Sequence, residues 1–268
     1  MVRKRIEYAQ NFLTDRRLVN ELIQSANISR SDVVVEIGPG EGIITKQLSE
    51  VAGRVIAIEV DPDLVMKLRN KFSEQPTVEV HEADFRSFTI RERDYKIFAN
   101  IPFNITSDIV KGLLTRTNPP LSAHLIMQQE AAMKFAGSPT ETEFSILWKP
   151  WYDFAIERRI PRQAFVPVPS VQPVFFLILR KRAPDVSTKH RSLYLQFVRH
   201  GFEAWKKNLK SAFEDVFTYE QWKRLSHDLD FPLKPLPTEL NYQQWLGLFV
   251  FLRDRVAPEK WAKLSIRK

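Results

Sequence analysis

Short apolar runs rich in β-branched residues alternate with amphipathic stretches along the first two thirds of the chain. The amphipathic stretches, such as EGIITKQLSEVA and PDLVMKLRNKF, carry apolar residues at helical spacing. The strand-like runs are DVVVEIG, RVIAIEVD, TVEVHEADF, YKIFANIPF and AHLIMQQ, and two later ones are YDFAIERRI and PVFFLILRKR. Because strands and helices alternate, we predict parallel β-α-β units with helices on both faces of one sheet.

The pattern changes near residue 181. Beyond this point the sequence holds long amphipathic stretches, among them SLYLQFVRHGFEAWKKNLKSAFEDVF and NYQQWLGLFVFLRDRV, and no clear strand. We therefore predict two domains. The first is an α/β domain over residues 1–180, and the second is a small all-helical domain over residues 181–268.

Charge is divided unequally between these two parts. Residues 1–180 hold 23 Lys and Arg against 22 Asp and Glu, whereas residues 181–268 hold 17 against 10. A basic module beside a nearly neutral one is typical of a protein that binds a polyanion such as nucleic acid. A basic protein without such a partner has the same composition, so charge alone leaves the partner open.

Composition excludes several classes of site. The chain contains no cysteine, which rules out disulfides, thiolate zinc sites and a cysteine nucleophile. The five histidines lack metal-like spacing, and we expect no metal site. The opening MVRKRIEYAQNFL lacks the apolar core of a signal peptide, and no apolar run reaches the length of a membrane span. We expect a cytoplasmic protein that does not enter a membrane.

Glycine clusters at the end of the first predicted strand. Gly38, Gly40 and Gly42, three of only eight glycines, fall within EIGPGEG. Such a cluster indicates a turn that needs positive φ or a close approach of the backbone to a ligand. Its spacing differs from the G-x-G-x-x-G of a dinucleotide-binding loop, and no proton-transfer residue is visible beside it. Both features disfavour a nicotinamide dehydrogenase.

Polar residues mark the ends of the next three predicted strands. These residues are Glu59, Asp84 and Asn100. Because parallel strands deliver their carboxyl ends to one edge of a sheet, we expect all three beside Gly38, where open α/β folds bind ligands. A carboxylate in the position of Glu59 can accept hydrogen bonds from ribose hydroxyls.

These motifs carry a resemblance to a known family. EIGPGEG, IEVD, EADF and NIPF, in this order and spacing, resemble the S-adenosylmethionine-dependent rRNA adenine N6-methyltransferases, and AQNFLTD is similar to their N-terminal element. NIPF and ILWKPWYDFAIERRIPRQAF are closer to the Erm enzymes, which modify 23S rRNA and confer macrolide resistance. The KsgA type, which dimethylates adenines of small-subunit rRNA, usually has NLPY.

The resemblance implies a Rossmann-like class I methyltransferase sheet with the helical domain appended. It implies mono- or dimethylation of a 23S rRNA adenine at N6, with S-adenosylmethionine as cofactor and the protein acting as a monomer. A small-subunit rRNA dimethyltransferase is the alternative within the family. A catalytically silent RNA-binding factor is the alternative from another class, although such a protein would lose the cofactor residues that this chain keeps.

The resemblance also assigns the cofactor site. Asn11 and Leu13 are expected to close over the methionine end, which the glycine loop faces. Glu59 is expected to accept the ribose hydroxyls, Val60 to pack on the adenine, and Asp84 to accept the adenine amine. The full expected set is Gln10, Asn11, Leu13, Gly38, Gly40, Glu59, Val60, Asp84, Phe85 and Asn100.

NIPF contains no group that titrates near neutral pH. An adenine amine is neutral and loses its extra proton only as the methyl arrives, so it needs acceptors more than a base. The Asn100 side-chain oxygen and the Ile101 carbonyl are expected to accept hydrogen bonds from the two N–H groups of the amine. Pro102 is expected to fix the backbone and Phe103 to stack on the base, which lies in a loop or is flipped out of a stem. Phe165 is a candidate second wall of this pocket, with a place in the core as its alternative.

The basic tail offers candidate RNA contacts. Within RHGFEAWKKNLK, basic residues at near-helical spacing favour contact with the RNA backbone, although a solvated helix face has the same pattern. The predicted RNA-binding residues are Arg199, Lys206, Lys207 and Lys210.

Overall fold

The computed structural model describes residues 11–203 and 208–264. The chain divides into two compact units. Unit 1 contains Met1–Ala132 and Asp153–Arg180, and unit 2 contains Met133–Tyr152 and Lys181–Lys268.

One segment lies outside the domain in which the sequence places it. The pattern predicts a single domain over 1–180, whereas residues 133–152 belong to the same unit as the tail. Hydrogen bonds explain the grouping, because Tyr194 Oη donates to the Ile146 carbonyl at 2.8 Å and Trp151 Nε1 donates to the Val186 carbonyl at 2.9 Å.

The strands agree with the alternation seen in the sequence. They are β1 Phe12–Leu13, β2 Val33–Ile37, β3 Arg54–Glu59, β4 Val78–Glu82, β5 Tyr95–Asn100, β6 Ser122–Gln128, β7 Tyr152–Arg159, β8 Phe165–Val166 and β9 Pro173–Arg180. Seven of them form one sheet in the order β4-β3-β2-β5-β6-β9-β7, and β1 pairs separately with β8. The five strands from β4 to β6 are parallel, and β9 runs antiparallel to β6. The predicted α/β class is confirmed.

The central strands are buried on both faces, as their continuous apolar runs require. Val34 and Val35 of β2 and Ile97 and Phe98 of β5 have no exposed surface. The strand register aligns the carboxyl ends, since Ile37 pairs with both Ile58 and Ala99. The residues that follow these positions therefore emerge together at one edge of the sheet.

The helices are α1 Arg16–Ser25, α2 Ile43–Val51, α3 Pro62–Lys71, α4 Thr106–Thr115, α5 Gln129–Ala136, α6 Glu143–Trp148, α7 Arg191–Glu203, α8 Leu209–Ala212, α9 Tyr219–Asp228 and α10 Tyr242–Arg255. Side-chain caps start several of them. Asp15 accepts a hydrogen bond from the Leu18 N–H before α1, and Asp61 accepts one from the Asp63 N–H before α3. These caps fix where each helix leaves the sheet edge.

Unit 2 has an aromatic core. The Tyr194 ring meets Phe249 edge-on at 4.9 Å between centroids, and Phe197 stacks on Phe213 at 4.7 Å. Trp245 is fully buried beside them. The described part of 181–268 contains helices and no strand, as the sequence predicts. Throughout residues 11–203 and 208–264, every helix is too short or too polar to cross a membrane.

Candidate active site

The turn after β2 depends on glycine. Gly38, Gly40 and Gly42 have φ values of 64°, 56° and 78°, in the region that side chains rarely adopt. A Cβ atom on Gly40 would lie 3.0 Å from the Phe12 ring, so the loop is tightly covered there. A Cβ atom on Gly38 would meet nothing within 4 Å. Gly38 therefore presents bare backbone to open space, which a ligand can approach closely.

Glu59 ties the end of β3 to this turn. Its side chain is 2% exposed, and Oε2 accepts a hydrogen bond from the Gly40 N–H at 3.2 Å. Oε1 accepts from the N–H groups of Val60 and Asp61, at 2.8 and 3.1 Å. A carboxylate has about four acceptor positions, so Oε2 can still receive a donor from a ligand.

Two adjoining cavities lie at the sheet edge and share Gly38 and Pro102. The first, of ≈ 410 Å³, is lined by Asn11, Phe12, Gly38, Gly40, Asn100, Ile101, Pro102 and Phe103. The second, of ≈ 530 Å³, is lined by Ile37, Gly38, Ile58, Glu59, Val60, Ala83, Asp84, Phe85, Arg86, Pro102, Ile105 and Ile109. Of the predicted cofactor residues that the structure describes, all except Leu13 line one or both of these cavities, and the expected base residues Ile101, Pro102 and Phe103 line the first.

Asp84 does not stand alone in the second cavity. The Arg86 guanidinium donates to both oxygens of the Asp84 carboxylate, through Nε at 3.0 Å to each and Nη2 at 2.5 Å to Oδ2. These hydrogen bonds lower the pKa of Asp84, and Asp84 is therefore an anion at neutral pH. Arg86 is absent from the predicted site residues, although its position two residues after Asp84 is a usable signal.

Asn100 is held in one orientation at the end of β5. Its Nδ2 donates to the Asn11 carbonyl at 2.9 Å. No donor among the described residues occupies Asn100 Oδ1, which is left as an acceptor at the first cavity. The Pro102 carbonyl accepts hydrogen bonds from the Ile105 N–H and the Thr106 hydroxyl, both at 3.2 Å. The loop that carries Phe103 is therefore closed into a fixed turn, with Phe103 partly exposed on the cavity wall.

A short ribbon positions the N-terminal part of the site. β1 pairs antiparallel with β8, matching Phe12 to Val166 and Leu13 to Phe165. Leu13 is buried and Phe12 covers Gly40, so Phe12, absent from the predicted set, is the residue of this strand that lines both the turn and the first cavity. Gln10 lies outside the described residues.

The prediction that Phe165 forms a wall of the base pocket is wrong for this structure. Phe165 has no exposed surface and packs in a buried cluster with Leu13, Phe98 and Phe175. The reason is the alternation of side chains along a strand. On β8, Phe165 points into the core and the next residue, Val166, is 59% exposed. The alternative that the sequence leaves open, a core phenylalanine, is the one observed.

The predicted RNA-binding residues are only partly described. Arg199 lies on α7 and is exposed. Lys210 is half-buried on α8, with its Nζ 4.7 Å from the centroid of the Tyr219 ring. Lys206 and Lys207 lie outside the described residues. Among those that are described, no group of three or more His, Cys, Asp or Glu side chains is arranged to hold a metal ion.

Taken together, a glycine turn after the first parallel strand, a buried acid ending the second, and Asp84 and Asn100 on the next two define a class I methyltransferase. Comparison with known proteins narrows this class. A family model described as ribosomal RNA adenine dimethylase matches residues 1–253. The chain belongs to this family, and it is an S-adenosylmethionine-dependent methyltransferase of ribosomal RNA.

Individual relatives are similar over most of the chain. An rRNA adenine N-6-methyltransferase of Bacteroides fragilis is 31% identical over 253 residues, covering 94% of both proteins. The ribosomal RNA small subunit methyltransferase A of Clostridium perfringens is 31% identical over 215 residues, covering 77% of this chain and 75% of that protein. The crystal structure of the 23S rRNA methyltransferase ErmE gives a TM-score of 0.84 at 26% identity, covering 91% of this chain and 100% of that one. The predicted family is confirmed.

Proposed function

We propose that this protein methylates one adenine of 23S rRNA at N6, adding one or two methyl groups, and thereby confers resistance to macrolide-type antibiotics. The observation that carries the proposal is that Asn100 lines the first cavity, which shares Gly38 and Pro102 with the second, on a fold that is similar to the 23S rRNA methyltransferase ErmE along 91% of the chain. NIPF supports the same branch, because the small-subunit type usually has NLPY.

The residues fit S-adenosylmethionine. Bare backbone at Gly38 can face the methionine end, and the remaining acceptor position of Glu59 Oε2 can receive a ribose hydroxyl. Val60, which is 44% exposed, offers an apolar surface to an adenine ring on the cavity wall. Asp84 is an anion at the same cavity and can accept the adenine amine. The cofactor supplies a methyl group activated by the positive sulfonium.

Orientation accounts for the rest of the chemistry. Asn100 Nδ2 donates to the Asn11 carbonyl, so Oδ1 is pre-positioned to accept a hydrogen bond from the target amine and turn its lone pair toward the methyl group. The Ile101 carbonyl accepts a hydrogen bond from the second N–H of the amine. Phe103 provides an aromatic face on the same cavity, and stacking there offsets much of the cost of flipping a base out of an RNA stem.

The tail is the proposed RNA-binding domain, with 17 Lys and Arg against 10 Asp and Glu over residues 181–268. Arg199, Lys206, Lys207 and Lys210 are its proposed contacts with phosphates. We further propose that the protein acts as a monomer in the cytoplasm. Its target is an adenine of 23S rRNA that lies in a loop or is flipped out of a stem.

One observation favours a second target. The small subunit methyltransferase A of Clostridium perfringens is as similar by identity, 31%, as the Bacteroides relative, although the match covers 77% of this chain against 94%. A dimethyltransferase of small-subunit rRNA is therefore the second candidate. Its site chemistry would be the same, because both targets present an adenine amine.

The test is to incubate the protein with labelled S-adenosylmethionine and, separately, with 23S rRNA and small-subunit rRNA that lack modification. We expect label on a single 23S adenine, located by primer extension and mass spectrometry. Label on small-subunit adenines would replace the proposed target with the second candidate. If neither rRNA is labelled, so that the wild type and an Asn100→Ala variant are equally inactive, the proposed methyl transfer is refuted.

A further inference from the structure

Arg86 occupies the carboxylate that the cofactor is expected to use. Its guanidinium holds both oxygens of Asp84, and Arg86 lines the same cavity as Glu59 and Val60. The side chain of Arg86 is 49% exposed and that of Asp84 is 37% exposed. The ion pair therefore forms part of the cavity wall, where an adenine ring and its amine would arrive.

The acceptor positions of Asp84 are filled by this one residue. Oδ1 receives the Arg86 main-chain N–H at 2.9 Å and Nε at 3.0 Å. Oδ2 receives Nε at 3.0 Å and Nη2 at 2.5 Å. A carboxylate offers about four acceptor positions, and three N–H groups of Arg86 make four contacts with them, because the single Nε–H is shared between the two oxygens. An adenine amine can bond to Asp84 only when the guanidinium gives up at least one of these contacts.

We propose that Arg86 competes with the adenine amine of S-adenosylmethionine for Asp84, and so weakens binding of both the cofactor and its product, S-adenosylhomocysteine. This inference rests on the proposed role of Asp84 as acceptor of the adenine amine. The functional consequence is faster exchange of product for cofactor, because both carry the same adenosine and both must displace the same guanidinium.

Asp84 keeps its place when the guanidinium leaves. The Arg86 main-chain N–H holds Oδ1, and the Ser87 and Phe88 N–H groups donate to the Asp84 carbonyl at 3.1 and 3.0 Å. None of these bonds involves the Arg86 side chain. Arg86 also lines one further cleft together with Asp108. Displacement therefore moves an exposed side chain and leaves the acceptor fixed.

The test uses calorimetry on the full chain with S-adenosylhomocysteine. Arg86→Leu removes the guanidinium group. Arg86→Lys keeps the positive charge but cannot donate to both Asp84 oxygens at once in the geometry of a guanidinium. Arg93→Leu is the matched control, because it removes an exposed arginine next to the opposite end of β5. The second ligand is the analogue of S-adenosylhomocysteine whose purine lacks the 6-amino group. This analogue has no amine to donate a hydrogen bond to Asp84.

We expect Arg86→Leu to bind S-adenosylhomocysteine about two- to fivefold more tightly than the wild type, the range that an exposed ion pair supports. Arg86→Lys should fall between them, Arg93→Leu should match the wild type, and the analogue without the amine should bind Arg86→Leu and wild type alike. Equal or weaker binding by Arg86→Leu would overturn the competition, as would an equal gain with the analogue. Failure of the wild type itself to bind S-adenosylhomocysteine would refute the cofactor site instead.

Discussion

At the scale of single residues, Glu59 combines a structural contact with a proposed ligand contact. The same carboxylate that is offered to the ribose also receives the N–H groups of Gly40, Val60 and Asp61. Glu59 is 2% exposed, and removing its carboxylate would leave three main-chain N–H groups without their buried acceptor. The sequence predicts a contact between Glu59 and the cofactor, and the structure shows that Glu59 also supports the glycine turn.

Glu59→Gln should weaken S-adenosylhomocysteine binding about tenfold or more, because one lost charge-assisted hydrogen bond costs about 1.5–3 kcal/mol. It should also lower the melting temperature, since the amide puts a donor where Glu59 now accepts from backbone N–H groups. Calorimetry and thermal unfolding measure the two effects. Glu82→Gln is the matched control, an exposed acid paired with Glu59 in the strand register. Unchanged affinity in Glu59→Gln would exclude the ribose contact.

The proposed stacking role of Phe103 can be tested by replacing its ring with other aromatic side chains and with a small aliphatic one. Phe103→Tyr and Phe103→Trp keep a π-face and should remain active, whereas Phe103→Ala should lose about 1–3 kcal/mol of stabilisation of the target base. Single-turnover rates at saturating cofactor measure this loss. S-adenosylhomocysteine affinity serves as the internal control and should change little. If Phe103→Ala reacts as fast as Phe103→Tyr, the ring is a packing residue and the base stacks elsewhere.

At the scale of elements, the long strands could be predicted because alternation of apolar runs and amphipathic stretches is a property of ten or more residues. The strands β1 and β8 could not, because each has two residues and carries no period. That limit explains the error at Phe165, whose inward direction is set by pairing with Leu13. It also explains why Phe12 was missed, since only this ribbon places its ring over Gly40.

The element β2 carries a buried acid that the sequence gives no role. Glu36 is 1% exposed, and none of the described residues forms a hydrogen bond with either of its carboxylate oxygens by ordinary distance and angle. Burial, together with the charge of Glu59, raises the pKa of Glu36 to about 8. The Thr45 side chain of α2 acts in the other direction and lowers this pKa. At pH values between the ordinary pKa of a glutamate and about 8, Glu36 keeps its proton in the folded protein, whereas it has lost that proton in the unfolded chain.

Stability should therefore fall as pH rises through that window, because the native state binds more protons than the unfolded state. Glu36→Gln cannot ionise and should lose this dependence. We expect the melting temperature of Glu36→Gln, relative to wild type, to be several degrees higher at pH 9 than at pH 5, since one pKa unit corresponds to about 1.4 kcal/mol. A constant difference at both pH values would show that Glu36 does not change its protonation in this range.

At the scale of the whole molecule, the sequence predicts a change of character near residue 181 but not the place of residues 133–152. Hydrogen bonds such as Tyr194 to Ile146 join positions 48 apart, and no local pattern reports them. Charge is a different kind of property, because it can be counted without a structure. The excess of basic residues in the tail supports an electrostatic prediction that does not depend on how the units are arranged.

Replacing Lys206, Lys207 and Lys210 together by Gln should lower the affinity for rRNA and flatten its dependence on salt. Each phosphate contact that is lost should reduce the slope of log affinity against log salt concentration by about 0.7–0.9. Lys210 is half-buried against Tyr219, so its own share should be small. Binding of S-adenosylhomocysteine should stay the same, because the cofactor residues lie in unit 1.

The matched control removes the same charge from unit 1. Lys67, Arg91 and Arg93 are exposed and line neither of the two cofactor cavities, and replacing all three by Gln changes the net charge by the same amount. A long-range effect of net charge would weaken RNA binding equally in both triple variants. A local contact would flatten the salt slope only in the tail variant, which is the result that we expect. Equal slopes in the wild type and the tail variant would mean that these lysines solvate a helix and that the RNA binds elsewhere.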